Sequence, residues 1–148
     1  MRALIATDGT EPALRAAHES VRLLHPDMVI EIVRVIPERE DPNDSATGFA
    51  GPLLTDAEAD EIHREEAEGA KADLAATLRE LGEPATLTVI EGSDAGHEIC
   101  ALAAREGIDV LVVGESDKGW FRRLLGGSVM AYAARHAPCP VLIVRHEG

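Results

Sequence analysis

Two stretches of the chain place unusual residues at the ends of short apolar runs. Asp8 closes the run of residues 2–7 and is followed at once by Gly9 and Thr10. The pattern Gly114-x2-Asp117-x9-Gly127-Ser128 follows a second apolar run, residues 109–113. The latter half of that pattern is a loop opening into a helix. Free backbone N–H groups and the positive end of the helix dipole favour a phosphate there. Glycines let the backbone approach an anion closely, and the Ser128 hydroxyl adds a donor. A plain helix cap with a tight turn would give the same spacing, so spacing alone leaves both readings open. The six histidines (18, 25, 63, 97, 136 and 146) are scattered, with no two at metal-ligand spacing. No nucleophile–base pair stands out either.

For Asp8 and Gly114 to share a ligand, the elements between them must bring the two runs side by side. Residues 2–7 read as a buried strand. Thr10 and Pro12 open a helix carrying Leu14, Ala17, Val21 and Leu24 at helical spacing. Residues 28–36, rich in β-branched types, form a second strand. Residues 37–54 hold Pro37, Pro42, Gly48 and Gly51 and read as a long loop, of the kind used as lids or mobile segments. Thr55 with Glu58 forms a capping box. The helix it opens places Ala67, Ala70, Leu74, Leu78 and Leu81 on one face and turns a solvated run of Asp and Glu outward. Residues 85–90 form a third strand. Ser93 caps a third helix that Gly107 closes. Residues 109–113 form a fourth strand, residues 128–136 a fourth helix, and residues 141–144 a fifth strand after Pro138-Cys139-Pro140.

Strict alternation of apolar strands with helices predicts a parallel sheet covered on both faces, and right-handed crossovers make it doubly wound. If the chain winds one way through three strands and back through two, the order is 3-2-1-4-5. The first and fourth strands are then neighbours. Their carboxyl ends form the crevice where open α/β sheets bind ligands. Residues 1–148 read as a single domain.

Composition narrows the function. The net charge of −13 argues against nucleic acids and against anionic membranes. No apolar run approaches the roughly 20 residues of a membrane span, and the opening does not read as a signal peptide, so the expected compartment is the cytoplasm. Cys100 and Cys139 read as small apolar residues, not as a disulfide or metal framework. Lys71 and Lys118 are the only lysines beside twelve arginines. That balance suits a protein soluble in concentrated salt, or equally an acidic surface from a GC-rich genome. Trp120 reads as a hydrophobic plug.

Residues 111–145, LVVGESDKGWFRRLLGGSVMAYAARHAPCPVLIVR, resemble the carboxyl-terminal signature of the universal stress proteins: Gly-x2-Gly-x9-Gly-Ser/Thr, then a helix, then a proline-flanked last strand. The opening LIATDGTEPALRAA, the segment Val33-Arg34-Val35-Ile36-Pro37 and residues 92–109 resemble the corresponding parts of that family. The likeness covers essentially the whole chain. It implies an adenine nucleotide α-hydrolase-like fold and, in one branch, ATP binding with Mg²⁺ or Mn²⁺. On that model Asp8 contacts the adenosine or a metal-linked phosphate, with Ala6 and Thr7 completing the adenosine side. Val35 offers backbone groups to adenine. Gly114 lies against the ribose and phosphates, followed by Glu115, Ser116, Asp117 and Lys118 of the same loop. Gly127, Ser128 and Val129 hold the triphosphate.

One departure matters: Asp117 stands where the family has its second glycine. Its charge, beside Glu115, repels a phosphate, which Lys118, Arg122 and Arg123 or a bridging divalent cation can offset. The expected function is an adenine-nucleotide-binding regulatory or stress-response protein, at most a slow ATP hydrolase. The alternative is a family member without nucleotide, acting as a dimeric scaffold. An adenylating enzyme is disfavoured because Asp8-Gly9-Thr10-Glu11 replaces the Ser-Gly-Gly-x-Asp-Ser loop of pyrophosphate-releasing relatives. A flavodoxin-like carrier is disfavoured by the absence of a Ser/Thr-rich phosphate loop after the first strand. The resemblance also implies a homodimer paired antiparallel through strand 141–144, an apolar strand expected at a sheet edge.

Overall fold

The alternation of short apolar runs with helical spacings is realised as five strands and four helices. The computed structural model describes residues 1–39, 54–115 and 128–145. In chain order the elements are β1 (Arg2–Ala6), α1 (Glu11–Val21), β2 (Val29–Ile36), α2 (Asp56–Leu81), β3 (Ala85–Glu91), α3 (Ala95–Arg105), β4 (Val110–Gly114), α4 (Val129–His136) and β5 (Val141–Val144). The strands form one sheet in the order β3-β2-β1-β4-β5, with every neighbouring pair parallel. This is the expected doubly wound topology. The winding reverses between β1 and β4, where Ile5 pairs with Val112.

Alternation along each strand sorts the core into two clusters. Ile5, Ile30, Ile32 and Val112 meet Ala17 of α1 and Leu74 and Leu81 of α2 on one face. Leu4, Ala6, Val33, Val35, Leu111 and Val113 meet Ile99 and Leu102 of α3 and Val129 and Ala133 of α4 on the other. With aromatics at 3% of the chain, small aliphatic side chains fill these layers and let helices approach closely.

Local chemistry sets the helix ends. The Thr55 capping box forms as expected, and Gly82 ends α2 in the left-handed region at φ +70°. Gly107, at φ +62°, follows the end of α3. The start of α3 differs from expectation. Asp94, not Ser93, is its cap, and its carboxylate accepts from the His97 N–H at 3.0 Å. Thr10 occupies the cap position of α1 but its side chain makes no capping bond; its hydroxyl donates instead to Asp8 Oδ1. The buried stripe of α1 consists of Ala13, Ala16, Ala17 and Ser20, so Leu14 lies beside it and not in it.

β2 departs from a wholly apolar strand. Glu31 and Arg34 are both buried within it and face opposite sides of the sheet. Glu31 is neutralised by Arg2 of β1 at 3.1 Å and accepts from the Thr88 hydroxyl at 2.7 Å. Arg34 pairs with Asp73 of α2 at 3.2 Å. Of the long loop, residues 40–53 lie outside the described residues, as does Trp120.

Candidate functional site

The crevice is built on the turn that leaves β1. Thr7 extends the ladder by donating its N–H to the Val33 carbonyl at 3.0 Å. Gly9 then takes φ +72°, a conformation side chains resist, and reverses the chain into α1. Between them Asp8 is 5% exposed. Its Oδ1 accepts from the Thr10 N–H at 3.1 Å and the Thr10 hydroxyl at 2.5 Å. Its Oδ2 is buried and accepts no hydrogen bond among the described residues. A buried carboxylate oxygen without a donor is costly, and such atoms mark places where another molecule completes the shell.

Val35 lies beside this turn for a reason of register. Odd-numbered residues of β2 direct their backbone polar groups toward β1: the Val29 N–H donates to Met1, and the Val33 carbonyl accepts from Thr7. β1 ends its pairing at Ala6–Val33, so the Val35 main chain points past the end of β1. The side chains of Val35 and Ala6 are buried in the cluster beneath α3 and α4.

On the β4 side, Gly114 ends the strand opposite Val144. The space its missing side chain leaves is taken by α1, since a Cβ there would lie 3.1 Å from Ala16 Cβ. Glu115 donates its N–H to Val144 and pairs with Arg145 at 3.7 Å, toward β5. Ser128 stands exposed at the cap of α4, and its hydroxyl makes no capping bond. Val129 behind it is buried in the cluster that holds Ala6, Val35 and Val113. Thus Ala6, Thr7, Asp8, Val35, Gly114, Glu115, Ser128 and Val129 belong to the carboxyl end of the sheet. Ser116, Asp117, Lys118 and Gly127 lie outside the described residues.

Three residues behind the turn escaped the sequence reading. Arg34 is buried among apolar strand residues, and Asp73 and Thr77 lie on the helix face read as plainly solvated. Thr77 is fully buried, its hydroxyl 3.0 Å from that of Thr7. The Gly9 N–H donates to the Thr7 hydroxyl at 3.1 Å, and Thr77 donates to the Asp73 carbonyl at 2.8 Å. Burial lowers the proton affinity of Arg34, which the charges of Asp73 and Asp8 partly restore. Burial pushes the Asp73 carboxyl up; Arg34 opposes this and Asp8 adds to it. A charged residue inside a β-branched run was the available signal, because a buried guanidinium requires a partner.

The whole-chain comparison decides the family. Residues 1–145 match the model of the universal stress protein family. The chain belongs to that family. Among curated universal stress proteins it is 31% identical over 150 residues to the putative protein SH1215 of Staphylococcus haemolyticus, covering 97% of this chain and 84% of the other. It is 27% identical over 146 residues to MJ0531 of Methanocaldococcus jannaschii, covering 96% and 80%. The Arabidopsis thaliana protein PHOS32 is longer: the match, 33% identical over 81 residues, takes in 51% of this chain and 33% of that one.

Solved structures share the universal stress protein fold at lower identity. The hypothetical protein MJ0577 superposes with a TM-score of 0.72 at 22% identity, over 99% of this chain and 96% of the other. A universal stress protein in complex with cAMP gives 0.63 at 19%, over 98% and 96%. One from Archaeoglobus fulgidus in complex with dAMP gives 0.58 at 19%, over 97% and 96%.

A cavity of about 700 Å³ lies at the opposite end of this universal stress protein's sheet, among Val21, Leu24, Met28, Ile30 and Pro84. It borders the amino ends of β2 and β3, far from the switch point, and no orphaned buried polar atom lines it. Among the described residues no three His, Cys, Asp or Glu side chains gather as a metal site, and no helix is long and apolar enough to cross a membrane. Cys100 is buried and Cys139 half-buried, and burial pushes both thiols up, away from the reactive thiolate.

Proposed function

We propose that this universal stress protein is a regulatory protein that binds an adenine nucleotide, ATP foremost, between the carboxyl ends of β1 and β4. The observation that carries the reading is the buried Asp8 Oδ2, which accepts no hydrogen bond among the described residues. A ribose hydroxyl or the adenine amino group supplies the donor it lacks. In this reading the Val35 main chain meets the base, and Ser128 at the start of α4 meets a phosphate. The cAMP and dAMP complexes of family structures support the ligand class. Asp117, Lys118 and Gly127 are proposed to complete the phosphate side, with Ser116, from the segment outside the described residues. A Mg²⁺ or Mn²⁺ ion would arrive on the phosphates, because Asp8 offers it a single open oxygen and the described residues gather no ligand set of their own.

Calorimetry on protein stripped of nucleotide, titrated with ATP, AMP and cAMP with and without Mg²⁺, at low and high KCl, tests this. Saturable binding of any adenine nucleotide is expected. Its absence under all conditions, with the fold intact by circular dichroism, overturns the reading.

A second reading rests on β5. This strand lies at the sheet edge, and all four of its apolar residues remain half-exposed. Antiparallel pairing with a second copy would cover it, giving a homodimer with or without nucleotide.

A further inference from the structure

The hydroxyl pair behind the Asp8 turn has a defined proton order. Thr77 has one hydroxyl proton, and it goes to the Asp73 carbonyl, 2.8 Å away. At the 3.0 Å contact between the two hydroxyls, Thr77 is therefore the acceptor and Thr7 the donor. Thr7 in turn accepts from the Gly9 N–H. A directed chain runs from Gly9 N–H through Thr7 and Thr77 to the backbone of α2. Both threonines are fully buried, so water does not compete. The Asp73 side chain meets the same turn from outside. A Cβ on Gly9 would lie 2.3 Å from Asp73 Cγ, and Asp73 Oδ2 accepts from Arg34 Nε at 3.2 Å.

We infer that Thr77 is a positioning residue for Asp8, fixing through this chain where its carboxylate stands at the crevice. It does not have to touch the ligand. The residue that sets the Asp8 turn therefore lies on a helix about 70 residues further along the chain, as the separation of Thr7 and Thr77 shows. For its consequence on affinity the inference rests on the nucleotide reading above; its structural arm does not.

The test is hydrogen exchange, read by NMR on the nucleotide-free full chain, for wild type, Thr77→Val and Thr77→Ser. Valine keeps the shape and removes the hydroxyl; serine restores it. In Thr77→Val, exchange of the Gly9 amide is expected to accelerate about fivefold or more, as befits one lost hydrogen-bond link, while amides of β2 and β4 keep their protection. Thr77→Ser is expected to return Gly9 to the wild-type rate. ATP affinity is expected to weaken by about fivefold in Thr77→Val and to recover in Thr77→Ser. An unchanged Gly9 rate in Thr77→Val overturns the inference. So does acceleration spread evenly over β1, β2 and β4, which would mean global loosening. If the wild type binds no adenine nucleotide yet Gly9 responds selectively, the positioning stands and the nucleotide reading falls.

Discussion

Gly114 and Ala16 are packed so closely that a methyl carbon on Gly114 would sit 3.1 Å from Ala16 Cβ. The resemblance had assigned this glycine to ribose and phosphates, but its lack of a side chain already has a cause in the contact of β4 with α1. Gly114→Ala is therefore expected to lower the melting temperature, because the helix must yield by a few tenths of an ångström. The double variant Gly114→Ala, Ala16→Gly should regain part of the loss, less the roughly 1 kcal/mol that glycine costs inside a helix. Thermal unfolding of the four proteins in this cycle measures the coupling. Additive losses would show that the contact does not govern this position.

In the proposed reading, Asp8 is the residue on which nucleotide binding turns. Hydrogen bonds to a charged partner contribute about 1.5–3 kcal/mol, so Asp8→Ala is expected to weaken ATP binding by about 10- to 100-fold in calorimetry. Fold stability should not collapse, since among the described residues Oδ1 accepts from Thr10 alone. Undiminished affinity would remove Asp8 from the site.

The Asp73 carboxyl gives a signed pH dependence. Its folded value is raised, with burial outweighing Arg34, so the folded state holds the proton more tightly than the unfolded chain does. The resulting stability is fully present below the ordinary carboxylate value and is lost as pH rises through the folded value. Asp8 across the turn raises Asp73 further, while Arg34 is also drawn to Glu66. Compared with Asp73→Asn, the wild type should thus gain stability as pH falls from neutral toward the carboxylate range. Urea unfolding of both proteins across that range checks the sign, and the opposite slope would show that the Arg34 ion pair dominates.

The edge strand offers a separate test of assembly. Backbone groups of Pro140 and Val144 accept from β4, so Val141 and Ile143 direct theirs toward the open edge. Ile143→Pro removes an outward N–H while sparing the pairing with β4, and edge strands tolerate proline there. Light scattering is expected to give a dimer for the wild type and a monomer for Ile143→Pro. A monomeric wild type at micromolar concentration would dismiss pairing through β5.

The capping box of α2 is an independent check on local stability. Thr55 accepts from the Glu58 N–H at 3.3 Å, and the Glu58 carboxylate accepts from the Thr55 N–H at 2.7 Å. Thr55→Ala is expected to cost about 1 kcal/mol in chemical denaturation without altering ATP affinity, since it lies far along α2 from Thr77.

The sequence by itself determined the sheet. Short apolar runs separated by helical spacings permit a doubly wound parallel arrangement, and Asp8 and Gly114 stand out because polar or glycine residues follow buried strands at those points. The Thr55 box and Gly82 were equally legible, because capping is a matter of residues three or four apart. Tertiary structure decided the rest. Asp73 and Thr77 look like members of a solvated acidic helix until β2 places Arg34 against them and β1 places Thr7. Ser93 and Asp94 are equally good caps on paper, and only the backbone selects Asp94. That Asp8 Oδ2 has no partner among the described residues is likewise invisible in one dimension. Whether a buried polar atom has a partner depends on groups distant in the chain, and those become its neighbours only when sheet and helices pack.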